Sequence, residues 1–244
     1  MDFKDIDLQL LAGMPIELEG IGYLHIPTLK EIISIGESRY SRFLSAMLLD
    51  KHNIEGMSDS KLTNFEMMYS YCYHNDEFRT ILFDAFGFFF KQKTQMGHSG
   101  PHVFFYLGDE SEKRVIDQSA MERIRDILRR ANFIKAQKAA GEYAPANSKA
   151  QQMIDLIKRN RRNRPQAQET MNLHSMISGL AWKSSALNLF TIFDLTVYQL
   201  YQGFRAVENI DNYNHTLTGI YAGTVDGKEI NFAQIHWAKI INNQ

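Results

Sequence analysis

Chemistry in a folded protein needs nucleophiles, titratable groups or metal ligands at workable spacing, and this chain offers few. Its eight histidines are scattered, and the single cysteine, Cys72, can form neither an intrachain disulfide nor a cysteine zinc site. The closest histidines stand in His98-Ser-Gly-Pro-His102, a spacing at which two imidazoles on a helix share one metal. Gly100 and Pro101 forbid that helix, so a polar turn is expected instead. Gly20-Ile-Gly22 and Gly97-His-Ser-Gly100 lack the strand, loop and helix of a phosphate cradle. No Gly-x-Ser-x-Gly, acidic metal loop, kinase or dinucleotide signature is present. Asp194 is the best isolated carboxylate, yet as the third residue after Thr191 it reads as a capping partner or a dipole-favoured first-turn acid. No catalytic, cofactor-binding or metal-ligating residue is assigned, and a protein that is not an enzyme is expected.

Charge carries the sharpest local signal. The totals, 27 basic against 28 acidic residues, nearly cancel, but from Arg129 to Arg164 ten basic residues meet only two acidic ones. That stretch is therefore at +8 and the rest of the chain at −9. Its densest part, Lys158, Arg159, Arg161, Arg162 and Arg164, is a basic patch able to neutralise several phosphates. No aromatic is interleaved for base stacking, and the remainder of the chain would repel a polyanion. A solvated helix end ranks first for this run, a tether for acidic surfaces second, and nucleic acid third.

The elements that position these residues follow from hydrophobic periodicity. Residues 15–26 alternate around two glycines and predict a hairpin with its turn at Gly20 to Gly22. Thr28 and Glu31 have capping-box spacing, so a helix starts there, and it should break at Gly36. Tyr40, Phe43, Leu44, Met47 and Leu48 form the apolar face of the next helix. Ser60 to His74 and Asp76 to Lys91 predict two more. The second, with Phe83, Phe86, Phe88, Phe89 and Phe90, is too apolar to be half exposed and should be the centre of the first core or be covered by a partner. His102 to Leu107 and Arg114 to Ile116 read as strands, and Ser119 with Glu122 as a capping box opening a helix through Ile124, Ile127, Leu128 and Ala131. An Asp126 to Arg130 pair is expected on its other face.

Residues 136–170 are rich in Ala, Gln, Asn, Lys and Arg and read as an inserted basic connector, with a further capping box at Ser148 to Gln151. Beyond it, Phe193, Val197, Leu200, Phe204 and Val207 step by four and three along a helical seam flanked by Tyr198 and Tyr201. A short terminal helix is expected from Phe232 to Ile241. The fold class is mainly α with small β-hairpin elements: an N-terminal helical domain over 1–135, the connector over 136–170 and a C-terminal helical domain over 171–244. With 44% hydrophobic and 23% charged residues, wholesale disorder and collagen-like or disulfide-stapled architectures are excluded. The acidic N-terminus and the brevity of the apolar run Ile81 to Phe90 speak against a signal peptide or membrane span, and Cys72 is expected to be a buried reduced thiol.

Two stretches resemble the tail assembly chaperones of long-tailed bacteriophages of Gram-positive hosts. One is Gly22-Tyr-Leu-His-Ile-Pro-Thr-Leu-Lys-Glu-Ile-Ile-Ser-Ile-Gly36 with Tyr40 and Phe43-Leu44; the other is Asn188-Leu-Phe-Thr-Ile-Phe-Asp-Leu-Thr-Val-Tyr-Gln-Leu-Tyr201. The resemblance covers about a seventh of the chain, and the long basic connector departs from it. It implies a binding protein of the host cell cytoplasm, missing from mature virions, whose client is the helical tape measure protein. Tail tube subunits are a second candidate client, and self-association is left open. On this reading Phe193, Val197, Tyr198, Leu200, Tyr201 and Phe204 either close the C-terminal core or face the client. The competing classes are a nucleic-acid-binding module on 129–164 and a structural tail component.

Overall fold

Alternation around Gly20 and Gly22 does produce a hairpin: β1 (Ile16–Leu18) pairs antiparallel with β2 (Gly22–Leu24), Ile16 opposite Leu24. It follows a short helix, α1 (Phe3–Leu11), and is pinned to the interior by the His25 amide donating to the Phe89 carbonyl at 2.9 Å. This computed structural model describes residues 3–54, 60–100, 102–108, 114–135 and 171–240. The basic connector, 136–170, with its expected capping box at Ser148 to Gln151, lies outside them.

Thr28 caps α2 (Leu29–Ile35) as its spacing requires: its Oγ1 accepts from the Glu31 amide at 3.2 Å, and the Glu31 carboxylate accepts from the Thr28 amide at 2.9 Å. Gly36, with φ of 90°, turns the chain into α3 (Glu37–Met47), which buries Tyr40, Phe43, Ala46 and Met47. Next come α4 (Asn64–His74) and α5 (Asp76–Phe90). The start expected at Ser60 moves to Thr63, whose capping box with Glu66 is complete. Asn75 caps α5, which is the centre of the core. Leu82, Ala85, Phe86, Phe89 and Phe90 are buried there against Phe105, Tyr40 and the hairpin side chains.

The second sheet is larger than expected. Besides β4 (His102–Leu107) and β5 (Arg114–Ile116), Thr94–Ser99 forms β3, and the order is β3-β4-β5, antiparallel throughout. Polar Thr-Gln-Met-Gly-His-Ser hides a strand because it is an edge strand with one buried side chain, Thr94. Gly97 in it is constrained by its neighbour, since a Cβ there would sit 2.4 Å from the Phe104 ring. His98 pairs with Val103 and Ser99 with His102, so successive pairs set the two imidazoles on opposite faces. Two-histidine metal geometry is lost.

Asp117, rather than Ser119, caps α6 (Gln118–Ala131), accepting from the Ala120 amide at 2.8 Å. Glu122 is thereby free to bond Arg125, a side chain missed in the sequence because a cation among Ile124, Ile127 and Leu128 reads as the polar face. Arg125 is fully buried, with Nη1 on Glu122 and Nη2 on the Leu49 carbonyl, both at 2.8 Å. Burial draws its pKa down, and Glu122 opposes that shift. The expected Asp126 to Arg130 pair is replaced: Asp126 takes Arg129 at 3.1 Å, and Arg130 forks onto Asp7 of α1 at 2.7 and 2.9 Å.

The C-terminal part holds α7 (Leu173–Lys183), α8 (Val197–Tyr221) and α9 (Phe232–Ile235). The last is much shorter than the expected 232–241 helix; Trp237 lies past its end and half exposed. Two apolar clusters result, and they exchange members. Leu29 of α2 packs with Ile177, Leu180, Ala181, Ile192 and Leu200, while Val197 and Tyr198 belong to the large N-terminal cluster.

Candidate protein-binding site

The six residues of the expected binding face divide into two sets. Val197, Tyr198 and Leu200 are 2%, 1% and 0% exposed, while Phe193, Tyr201 and Phe204 are half-buried. Local chemistry explains the division. Thr196 is extended and closes a capping box with Gln199, so the helix starts at Val197 and Phe193 sits in a separate 3-10 turn, Ile192–Asp194. The expected seam therefore loses its first member. The stretch before the helix is stitched to the N-terminal part: the Leu29 amide donates to the Leu195 carbonyl at 2.8 Å and the Val197 amide to the Pro27 carbonyl at 3.1 Å, around a Thr28–Thr196 bridge. Asp194 is the third residue of the 3-10 turn and its first-turn acid, as expected, but Thr191 makes no side-chain cap, so the capping partnership is not formed.

A second seam joins the parts at Phe133. Its backbone is left-handed, φ 55°, closing α6 with the Ile134 amide reaching back to the Arg129 carbonyl at 2.9 Å. Glycine is the usual residue in that conformation. Phe133 is held there by its ring, which lies 5.5 Å from both Tyr198 and Tyr201 and 4.3 Å under the Arg205 guanidinium. Burial raises the pKa of the Tyr201 phenol, so it is neutral in this box.

What remains open lies in the loop between α7 and α8. Ser184 Oγ accepts from the amides of Ala186 and Leu187, both at 3.1 Å; Asn188 Oδ1 accepts from those of Phe190 at 2.8 Å and Thr191 at 3.2 Å. Thr191 Oγ1 in turn accepts from the Asn188 amide at 3.2 Å. These bonds fix successive turns whose apex holds Phe190, 93% exposed, with Leu189 at 43% beside it. Trp182, at the end of α7, is 79% exposed. Periodicity assigns neither aromatic a place. For Phe190 the readable signal is Asn188 and Thr191 on either side of it, a turn chemistry that ejects what lies between.

Past Leu200 the helix leaves the core. Of the described side chains from 201 to 240, none is buried. Among the described residues no three His, Cys, Asp or Glu side chains gather as a metal site, and no helix is long and apolar enough to cross a membrane. Cys72 is fully buried, and burial pushes its thiol up to about 12, which leaves it un-ionised and inert at neutral pH. Of the basic segment, Lys158, Arg159, Arg161, Arg162 and Arg164 lie outside the described residues. Arg129 and Arg130, at its start, are already committed to Asp126 and Asp7.

Residues 163–242, about a third of the chain, match the family model described as the YomV second domain. The matched span takes in α7, α8 and α9 and the braced loop, and of the large N-terminal cluster's buried residues only Val197 and Tyr198. The name is that of a phage-derived family, so the match points to a bacteriophage protein. No curated protein and no solved structure matches the chain.

Proposed function

We propose that this protein is a bacteriophage tail assembly chaperone, a binding protein without a catalytic step that holds the helical tape measure protein before tail tube subunits polymerise around it. Phe190 carries the reading: an aromatic side chain 93% exposed on a loop whose amides are tied by Ser184, Asn188 and Thr191. An apolar side chain so placed is stable in water only at a cost, and pre-ordering its loop removes the loop-ordering part of the entropy lost on binding. Aromatic anchors of this kind dominate protein interfaces, and an apolar stripe on a client helix offers the matching surface. Asn188 to Thr191 of the loop lie inside the C-terminal stretch that resembles the chaperones, and the whole loop lies inside the span matched by the phage-derived model.

Val197, Tyr198 and Leu200 enter this reading as the floor of the site, since their burial fixes the start of α8 and with it the loop. Phe193, half-buried, follows the loop directly, and half-buried Tyr201 and Phe204 come later on α8. The working compartment is then the host cytoplasm. The test is co-expression of the tape measure protein encoded by the same phage with this chain. Soluble, co-purifying tape measure protein is expected with the wild type, at least tenfold less with Phe190→Asp, and none of the chain in purified virions. Equal recovery with Phe190→Asp, or the chain retained in virions, would overturn the reading.

A further inference from the structure

The distal half of α8, residues 206–221, lies beyond the last buried position of that helix. Two neighbours reach it. The end of α7 does so through the Lys183–Asp211 ion pair, and the chain after the helix through His236 on the Tyr213 ring at 5.4 Å and Gly227 against Ile220. They leave Trp182 79%, Ile210 41%, Tyr221 84%, Phe232 43%, Trp237 51% and Ile240 87% exposed. At about 200 Å² for a large side chain, these six keep on the order of 800 Å² of mostly apolar surface in water. That is roughly what each partner contributes to a standard stable interface, about 800 Å².

Charge selects the occupant. Between 206 and 221 only Glu208 and Asp211 are charged, and Asp211 already holds Lys183. The distal stripe Ala206, Ile210, Tyr213, Leu217 and Ile220 steps by four and three, flanked by Val207, Asn209, Asn214 and Thr216. Glu208, two residues from Ile210, lies on the far side of the helix, so the stripe itself bears no charge: a charged partner finds nothing along it to pair with, and the same stripe of a second copy meets no like charge. Residues 171–240 as a whole carry four basic and five acidic side chains, whereas 1–135 stands at −4 and 136–170 at +4. Those other regions would each repel their own copy.

We infer that the distal face of the C-terminal arm, with Trp182, Ile210 and Tyr221 as anchors, is a self-association surface that takes the same face of a second copy of this chain. The contact is isologous and closes at two. It is independent of the Phe190 reading and uses different side chains.

Light scattering on the full chain at about 100 μM tests it. A mass twice 28.2 kDa is expected, with Trp182→Glu and Tyr221→Glu each weakening the dimer at least tenfold. Both positions are largely exposed, so an unchanged circular dichroism spectrum accompanies the loss. A monomeric wild type or a dimer indifferent to both glutamates would overturn the inference. Phe190→Asp should leave the mass unchanged, so a failed client test and a failed dimer test are told apart.

Discussion

The two longest aromatic helices of this protein meet opposite fates. In α5, 15 residues long, five side chains are buried and they run from Leu82 to Phe90. In α8, 25 residues long, three are buried and all lie in its first four positions. α8 is the more polar of the two, with Glu208, Asn209, Asp211, Asn212 and Asn214 among its aromatics, and fewer elements stand around it. Packed around α5 are α3, α4, β2 and β3, whereas α1 and α7 touch part of α8 and the short α9 closes on it later. Burial is thus decided by neighbours, and a helix with too few of them carries its apolar surface outward as a binding site.

Thiol chemistry should separate the regions most widely. In a Phe190→Cys variant the new thiol should label at the rate of a free cysteine, while Cys72 in the same molecule reacts only when the core opens, slower by about 10³-fold or more. Comparable rates, read by mass spectrometry, would break the contrast. Stability should follow the same line. Phe89→Ala, at a fully buried position, is expected to cost about 3–5 kcal/mol in urea unfolding, and Phe190→Ala less than about 0.5 kcal/mol.

The joint between the regions gives a smaller effect. Phe133→Ala loses the ring contacts while keeping the left-handed backbone, for a loss of about 2 kcal/mol, and Phe133→Gly should recover about 1 kcal/mol of it by relieving the backbone. Alanine and glycine of equal stability would mean that the conformation is not strained. The smallest effect concerns pH. Burial disfavours the Glu31 carboxylate, but the Thr28 amide and Lys91 outweigh it, so its pKa in the folded protein is lowered. Its contribution is then present above the unfolded carboxylate range and is lost as pH falls through the lowered value. Glu31 is partly exposed, so Glu31→Gln should flatten the acid limb of stability by under about 1 kcal/mol. An acid limb identical to wild type would remove Glu31 from the account.

Much of the N-terminal region is legible in the sequence because its signals are local. Thr28 with Glu31, Gly36 and the Phe run of α5 each declare an element within a few residues. β3 is hidden because an edge strand needs no apolar alternation, and the burial of Arg125 is hidden because its partner carbonyls come from residues 48 and 49. In the C-terminal region periodicity misleads in both directions. It counts Phe193 into a helix that Thr196 starts later, and it passes over Phe190, which the Asn188 turn holds outside the core. A side chain's neighbours, unlike its turn or cap, are assembled from distant chain.

Hydrogen exchange of the full chain, alone and with the tape measure protein, tests the central claim most directly. The account predicts slow exchange in α5 unaffected by client, and protection gained on binding in residues 184–191 and the adjoining turns of α8. Protection gained in α5 and β3 with none in 184–191 would contradict it.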